Sequence, residues 1–144
     1  MNIATLVAPI DSAQLAGFVA RLDEVNAIAD SAPGFRWRLQ DESGSATALR
    51  PWQADVIVNL SVWASVAALR DYVYGAAHAD VLRQRRAWFA PMTTPHLVLW
   101  WVPAGHRPTL DEAGERLGLL QRQGPSPEAF TLRQPYEQPM IAQP

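Results

Sequence analysis

Residues 63–102, WASVAALRDYVYGAAHADVLRQRRAWFAPMTTPHLVLWWV, change their hydrophobic period twice, and the fold turns on where they do so. Trp63, Val66, Leu69 and Val73 recur at the spacing of one helix face, starting just after Ser61. Gly75 interrupts that helix before a second helical portion. On an ideal helix, residues 76–89 bring Trp88, Val81, Arg85, His78, Phe89, Leu82 and Arg86 across one broad face, with Asp80, Gln84 and Ala87 behind it. Pro91-Met92-Thr93-Thr94-Pro95 is a constrained connection. Beyond it, His96, Val98, Trp100 and Val102 alternate with Leu97, Leu99 and Trp101, so both faces are apolar, as in a strand covered on each side.

Upstream, Asn2 to Ala8 carries two interleaved apolar rows and is expected to be a first strand, ended by Pro9. Asp11 and Gln14 have the spacing of a capping pair for a helix whose apolar stripe is Leu15, Phe18, Val19, Leu22 and Val25. Pro33-Gly34 marks a turn. Phe35, Trp37 and Leu39 then alternate with Arg36 and Arg38, predicting a second strand with its arginines in solvent. Residues 40–55 read as a loop anchored by Trp52. Val56, Val58, Leu60 and Val62 resume strand alternation, opposed by Ile57, Asn59 and Ser61.

Downstream, Pro103 and Gly105 end the apolar strand. Thr109 and Glu112 form a capping box for a helix with the stripe Ala113, Leu117 and Leu120, stopped at Gly124-Pro125. Phe130 to Arg133 is expected as an extra edge strand. The order is therefore β-α-β-β-α-β with a C-terminal helix and that added strand, an α+β, ferredoxin-like domain over residues 1–134 with a loosely held tail at 135–144. Helices on one face of such a sheet leave the other needing a cover. A homodimer burying two sheets together is the economical solution; the chain's own C-terminal helix is the alternative.

At 144 residues, 49% of them apolar, the chain can build a real hydrophobic core. All 12 basic residues are arginine, which excludes lysine Schiff-base chemistry, and the net charge of −2 leaves no broad footprint for nucleic acid. Cysteine is absent, which excludes disulfides, iron–sulfur clusters and thiolate metal sites. The N-terminal MNIATLVAPID lacks the basic start and long apolar core of a secretory signal, and no stretch is long enough to span a membrane. A cytoplasmic protein without nucleic-acid or membrane partners is expected.

His78 is the best candidate for chemistry, because imidazole both donates and accepts near neutral pH and can ligate a metal. Three roles stay open for it: a core histidine tied to a backbone carbonyl, a contact for a small molecule or proton, and an axial ligand to haem. Arg85, seven residues on and nearly eclipsed with His78, could orient a carboxylate, phenolate or propionate, or pair with an acid of the protein. Asn59 could hold a substrate oxygen or repair a strand end. The tryptophans, Trp63 among them, could wall an aromatic ligand or fill a small core. His96 and His106 complete no metal-ligand spacing with His78, and no nucleotide-binding glycine pattern or nucleophile elbow occurs.

The combination of AAH, RRAWF, Pro91-Met92 and HLVLWWVPAGHRPT, within WASVAALRDYVYGAAHADVLRQRRAWFAPMTTPHLVLWWVPAGHRPTLDEA, resembles the DUF3291 family. That family in turn resembles the dimeric α/β-barrel superfamily, whose members include antibiotic-biosynthesis monooxygenases and haem-binding or haem-degrading proteins. The resemblance implies a homodimer that binds a hydrophobic or aromatic small molecule in a cleft between sheet and helices. In an oxygenase acting on a phenolic compound, Asn59 and Trp63 would orient the substrate, His78 would manage a proton and Arg85 would stabilise an oxyanion. Such a reaction requires no cofactor. In the haem alternative, His78 would be the axial ligand and Arg85 and Arg86 would receive propionates. A noncatalytic binding or structural dimer is the third reading.

Overall fold

The computed structural model describes residues 1–140. Its strands are β1 (Asn2–Thr5), β2 (Phe35–Arg38), β3 (Val56–Asn59) and β4 (Ser61–Trp63), and its helices α1 (Ala16–Ser31), α2 (Val66–Val73), α3 (Ala76–Trp88) and α4 (Leu110–Gln123). The fold is mixed α+β, with two small antiparallel sheets, β1 with β3 and β2 with β4.

The strand expected over 56–62 runs on to Trp63 and divides at Leu60. Its first half pairs with β1, setting Ile3 against Val58 and Ala4 against Ile57, while its second half pairs with β2, setting Phe35 against Trp63 and Arg38 against Ser61. Leu60 links the halves, is 1% exposed, and accepts from the Leu39 amide at 2.8 Å. Trp63, placed by its spacing at the start of a helix, is instead the last residue of β4. The helical period begins with Ser65, whose hydroxyl caps α2 by accepting from the Ala68 amide.

Opposite residues of an antiparallel pair share a face. Ala4, Leu6 and Ile57 therefore face α1 and α3, where Leu6, Leu15 and Trp88 are buried with Phe18, Val81 and Phe89 around them. Ile3 faces the other way, toward a second cluster made by Val98, Leu117, Leu120 and Ala129. The β1–β3 ladder thus has α1 and α3 on one side and α4 on the other. The C-terminal helix takes the position for which a second subunit's sheet was the economical expectation.

Residues 96–102 do not form a regular strand. Leu97 bridges to Asn2 and Leu99 bridges to Phe130, each as an isolated pair. The Ile3 amide donates to His96 and the Val98 amide to Met1, both at 2.9 Å, whereas Leu99 and Phe130 exchange two bonds at 2.8 Å on the other side. Alternate residues thus pair with different neighbours, and the extra edge strand expected at 130–133 reduces to Phe130 alone.

Two polar expectations change in the same way. Arg38 is not a solvent arginine: its guanidinium donates to both oxygens of Asp30 and to the Gly44 carbonyl, leaving the side chain 14% exposed. Asp11 caps nothing, because a short 3-10 turn at Ala13–Leu15 precedes α1. Within the expected tail, Tyr136 is docked: its carbonyl accepts from Trp101 Nε1 at 2.9 Å and its ring lies 5.9 Å from Phe130. Residues 141–144 of that tail lie outside the described residues.

Candidate functional site

A cleft of about 680 Å³ lies where the C-terminal end of α1, the Pro33-Gly34 turn, α2 and the first turn of α3 meet. Its walls are mainly alanine and glycine, among them Gly34, Ala64, Ala68 and Gly75. Small walls are required by the close approach of the elements. Gly34 has φ +84°, and a Cβ built on it would stand 2.5 Å from the Ala68 Cβ. Gly75 separates α2 from α3 and turns the chain so that His78 folds back on Tyr72.

His78 lines this cleft and is half-buried. Its Nδ1 is 3.0 Å from the Val73 carbonyl. A carbonyl can only accept, so Nδ1 carries the proton and the neutral ring presents a lone pair at Nε2. Among the described residues, Nε2 has no hydrogen-bond partner. Burial lowers the His78 pKa below the usual imidazole value, against the opposing pull of the Val73 carbonyl. At neutral pH the ring is an uncharged acceptor held in one orientation.

Tyr72, a residue that periodicity passed over, also lines the cleft and is the centre of an aromatic row. Its ring is stacked on Trp63 with centroids 4.9 Å apart and lies 5.0 Å from His78, while Phe35 meets Trp63 edge-on at 5.5 Å. Burial raises the Tyr72 pKa, the Asp30 charge raises it further, and Arg38 partly offsets them, so the phenol stays protonated. The signal for Tyr72 was its place just before the Gly75 break, on the turn that faces back from α2.

The structure assembles only part of the residue set expected for chemistry. Trp63 reaches His78 through Tyr72, and its Nε1 is engaged by Ser61 at 2.9 Å. Asn59 is exposed in β3 opposite Asn2 and does not line the cleft. Arg85 and Arg86 are exposed in the last turn of α3, also outside it. His78 and Arg85 share a face of α3 but stand two turns apart along it, so that His78 in the first turn lines the cleft and Arg85 in the last turn does not, while Trp88 and Val81 pack toward Leu6 and Leu15. His106 pairs with Glu112 at 2.7 Å, and His96 approaches the carbonyl of Thr94. Among the described residues, no group of three His, Cys, Asp or Glu could hold a metal ion.

A second cleft of about 350 Å³ separates α4 from the Ile3, Thr5 and Val56 face of the sheet and has no ionisable lining residue.

This arrangement defines a mixed α+β protein with an aromatic-backed histidine cleft and, among the described residues, no helix long and apolar enough to cross a membrane. The chain belongs to the DUF3291 family, a domain of unknown function whose model matches residues 1–144. Comparison with curated proteins and with solved structures returns no match.

Proposed function

We propose that the protein binds a small aromatic or phenolic molecule in the cleft between α1, α2 and α3, with His78 as its proton acceptor. The observation that carries this reading is the fixed tautomer: Nδ1–H is committed to Val73, leaving a partnerless Nε2 on a cleft wall backed by the Trp63–Tyr72 stack. An imidazole tied at one nitrogen and free at the other is organised to take a proton from a bound hydroxyl. In an oxygenase of this kind, removing a phenolic proton would raise the substrate's electron density toward oxygen. His78 and Tyr72 would serve that step, with Trp63 supporting Tyr72 from behind.

The haem alternative fits less well. Nε2 is suited to an axial bond, but no arginine lines the cleft, and Arg85 and Arg86 stand on the exposed surface of α3. Propionates would have no cationic partner there.

The ferredoxin-like order belongs to the same proposal. It is supported by the bridge from Leu97 to Asn2, which sets 96–98 beside β1 on the side away from β3, with β2 following through the continuous 56–63 run. A homodimer is proposed as well, but a sheet-to-sheet barrel would require α4 to leave the Ile3 face. Cytoplasmic placement is part of the proposal and rests on the sequence.

The test is binding of phenol and of tyrosol, 2-(4-hydroxyphenyl)ethanol, by ligand-detected NMR, with oxygen consumption followed in parallel. Saturable binding lost in His78→Ala but kept in Arg85→Ala is expected. Binding indifferent to His78, or none at all, overturns the assignment; binding without oxygen uptake restricts it to a noncatalytic receptor.

A further inference from the structure

The hydrogen-bonding groups of the cleft identify the charge of its ligand. Resting on the binding reading above, we propose that the cleft selects a protonated amine on an aromatic frame, with the ammonium donating to the Asp71 carboxylate while His78 Nε2 is left to the ligand's hydroxyl.

Asp71 lines the cleft and is exposed, with no ion-pair or hydrogen-bond partner for its carboxylate among the described residues. His78 offers a lone pair at Nε2. Ser31 spends its hydroxyl proton on the carbonyls of Ala27 and Ile28, so only its lone pairs remain. Ser65 accepts from Ala68. Among the described residues, Ser65 and Tyr72 are the lining side chains whose O–H is uncommitted. Side chains that accept therefore outnumber those that donate, and an ammonium group, with three donors and no acceptor, is their complement.

The surrounding charges do not reverse this. No arginine lines the cleft. Three arginines of the surrounding elements are engaged, Arg38 by Asp30, Arg21 by Asp80, and Arg70 by the Leu132 carbonyl. The open amides at the start of α3, where Gly75 supplies no side-chain cap, are the one feature that favours an anion. The C-terminal end of α1 opposes it, and the two ends of the short α2 offset each other. Helix ends carry about half a charge each, so the full charge of Asp71 sets the sign. Its exposure keeps the preference modest, about tenfold for a cation over a neutral analogue.

Three probes share one ring and one side-chain length or nearly so: tyramine is cationic, tyrosol neutral and 4-hydroxyphenylacetate anionic near neutral pH. Titrating each into the full chain should give tyramine about tenfold tighter than tyrosol, and the acid at least about tenfold weaker than tyrosol. Asp71→Asn should bring tyramine to the tyrosol level and leave tyrosol unchanged. Because Asp71 is exposed, this substitution spares the core. The acid binding as tightly as tyramine, or an unchanged tyramine-to-tyrosol ratio in Asp71→Asn, overturns the charge selectivity while the cleft remains a binding site. Failure of all three probes overturns the binding reading and this inference together.

Discussion

The rings of Tyr72 and His78 lie 5.0 Å apart and tilted by 53° across the Gly75 break, joining the end of α2 to the first turn of α3. Tyr72 is held on its other side by Trp63, so the orientation of His78 depends on the sheet through a stack of side chains. Removing the Tyr72 ring should therefore loosen the site as well as the fold. Tyr72→Ala is expected to cost about 2 kcal/mol in a urea denaturation experiment. Tyr72→Phe keeps the stack and should leave the midpoint nearly unchanged while weakening tyrosol binding.

His78 makes stability depend on pH. Its pKa in the folded protein is below the ordinary 6.5 because burial disfavours the charged ring. As pH falls below that ordinary value, the unfolded chain binds a proton before the folded chain does. The share of stability that His78 contributes is therefore undiminished above about pH 6.5 and declines until the folded value has been passed. Comparing unfolding free energies at about pH 7.5 and about pH 5.5 in the native protein and in His78→Gln isolates this share; the variant should show a shallower decline.

Gly34→Ala should be strongly destabilising for two separate reasons. The residue has φ +84°, and its new methyl would meet the Ala68 Cβ at 2.5 Å. A left-handed alanine and an overpacked contact together predict a loss of about 3 kcal/mol, readable as a drop in thermal midpoint. Adding Ala68→Gly should recover the steric share and leave the backbone share.

Glu112 ties α4 to the segment before it. One carboxylate oxygen accepts from Trp100 Nε1 at 2.9 Å and the other pairs with His106 Nε2 at 2.7 Å. Burial pushes the Glu112 pKa up, but the bonds from His106 and Trp100 outweigh it and hold the group below its usual value of 4.5. This stabilisation is present above that value and is lost as pH falls through the lower, folded one. Glu112→Ala is expected to cost about 1 kcal/mol near neutral pH, with the difference from the native protein shrinking in acid.

Much of the local structure was legible because short-range pattern determines it. Gly75 and Thr109 bound α3 and α4 much as their residue types suggest, and the row Val56, Val58 and Leu60 is buried. Long-range competition was not legible. Glu112 has the spacing to reach back to its own cap, and Thr109 does accept from its amide, yet the carboxylate goes to Trp100 and His106. The apolar run at 96–102 promised a strand but says nothing of which neighbour each residue bonds. In the site, His78 was legible as a half-apolar, half-polar helix residue. That Arg85 would stand outside the cleft was not, because only the first turn of α3 borders it, and this depends on how the helix meets α1 and α2.

The division of one run at Leu60 also sets the order in which the chain can acquire its shape. Asn2 waits for Asn59 to be synthesised before β1 has any ladder, while β2 meets β4 across a much shorter loop. The Phe35–Trp63 pairing closes at lower entropic cost and can guide the 56–59 half toward β1. A nascent chain thus carries an uncovered Ile3 and Leu6 until the sequence past Leu60 has emerged, and Ile3 and Val56 stay without α4 until the last part of the chain arrives. Exposure during that interval makes the first strand a place where slow synthesis would favour aggregation.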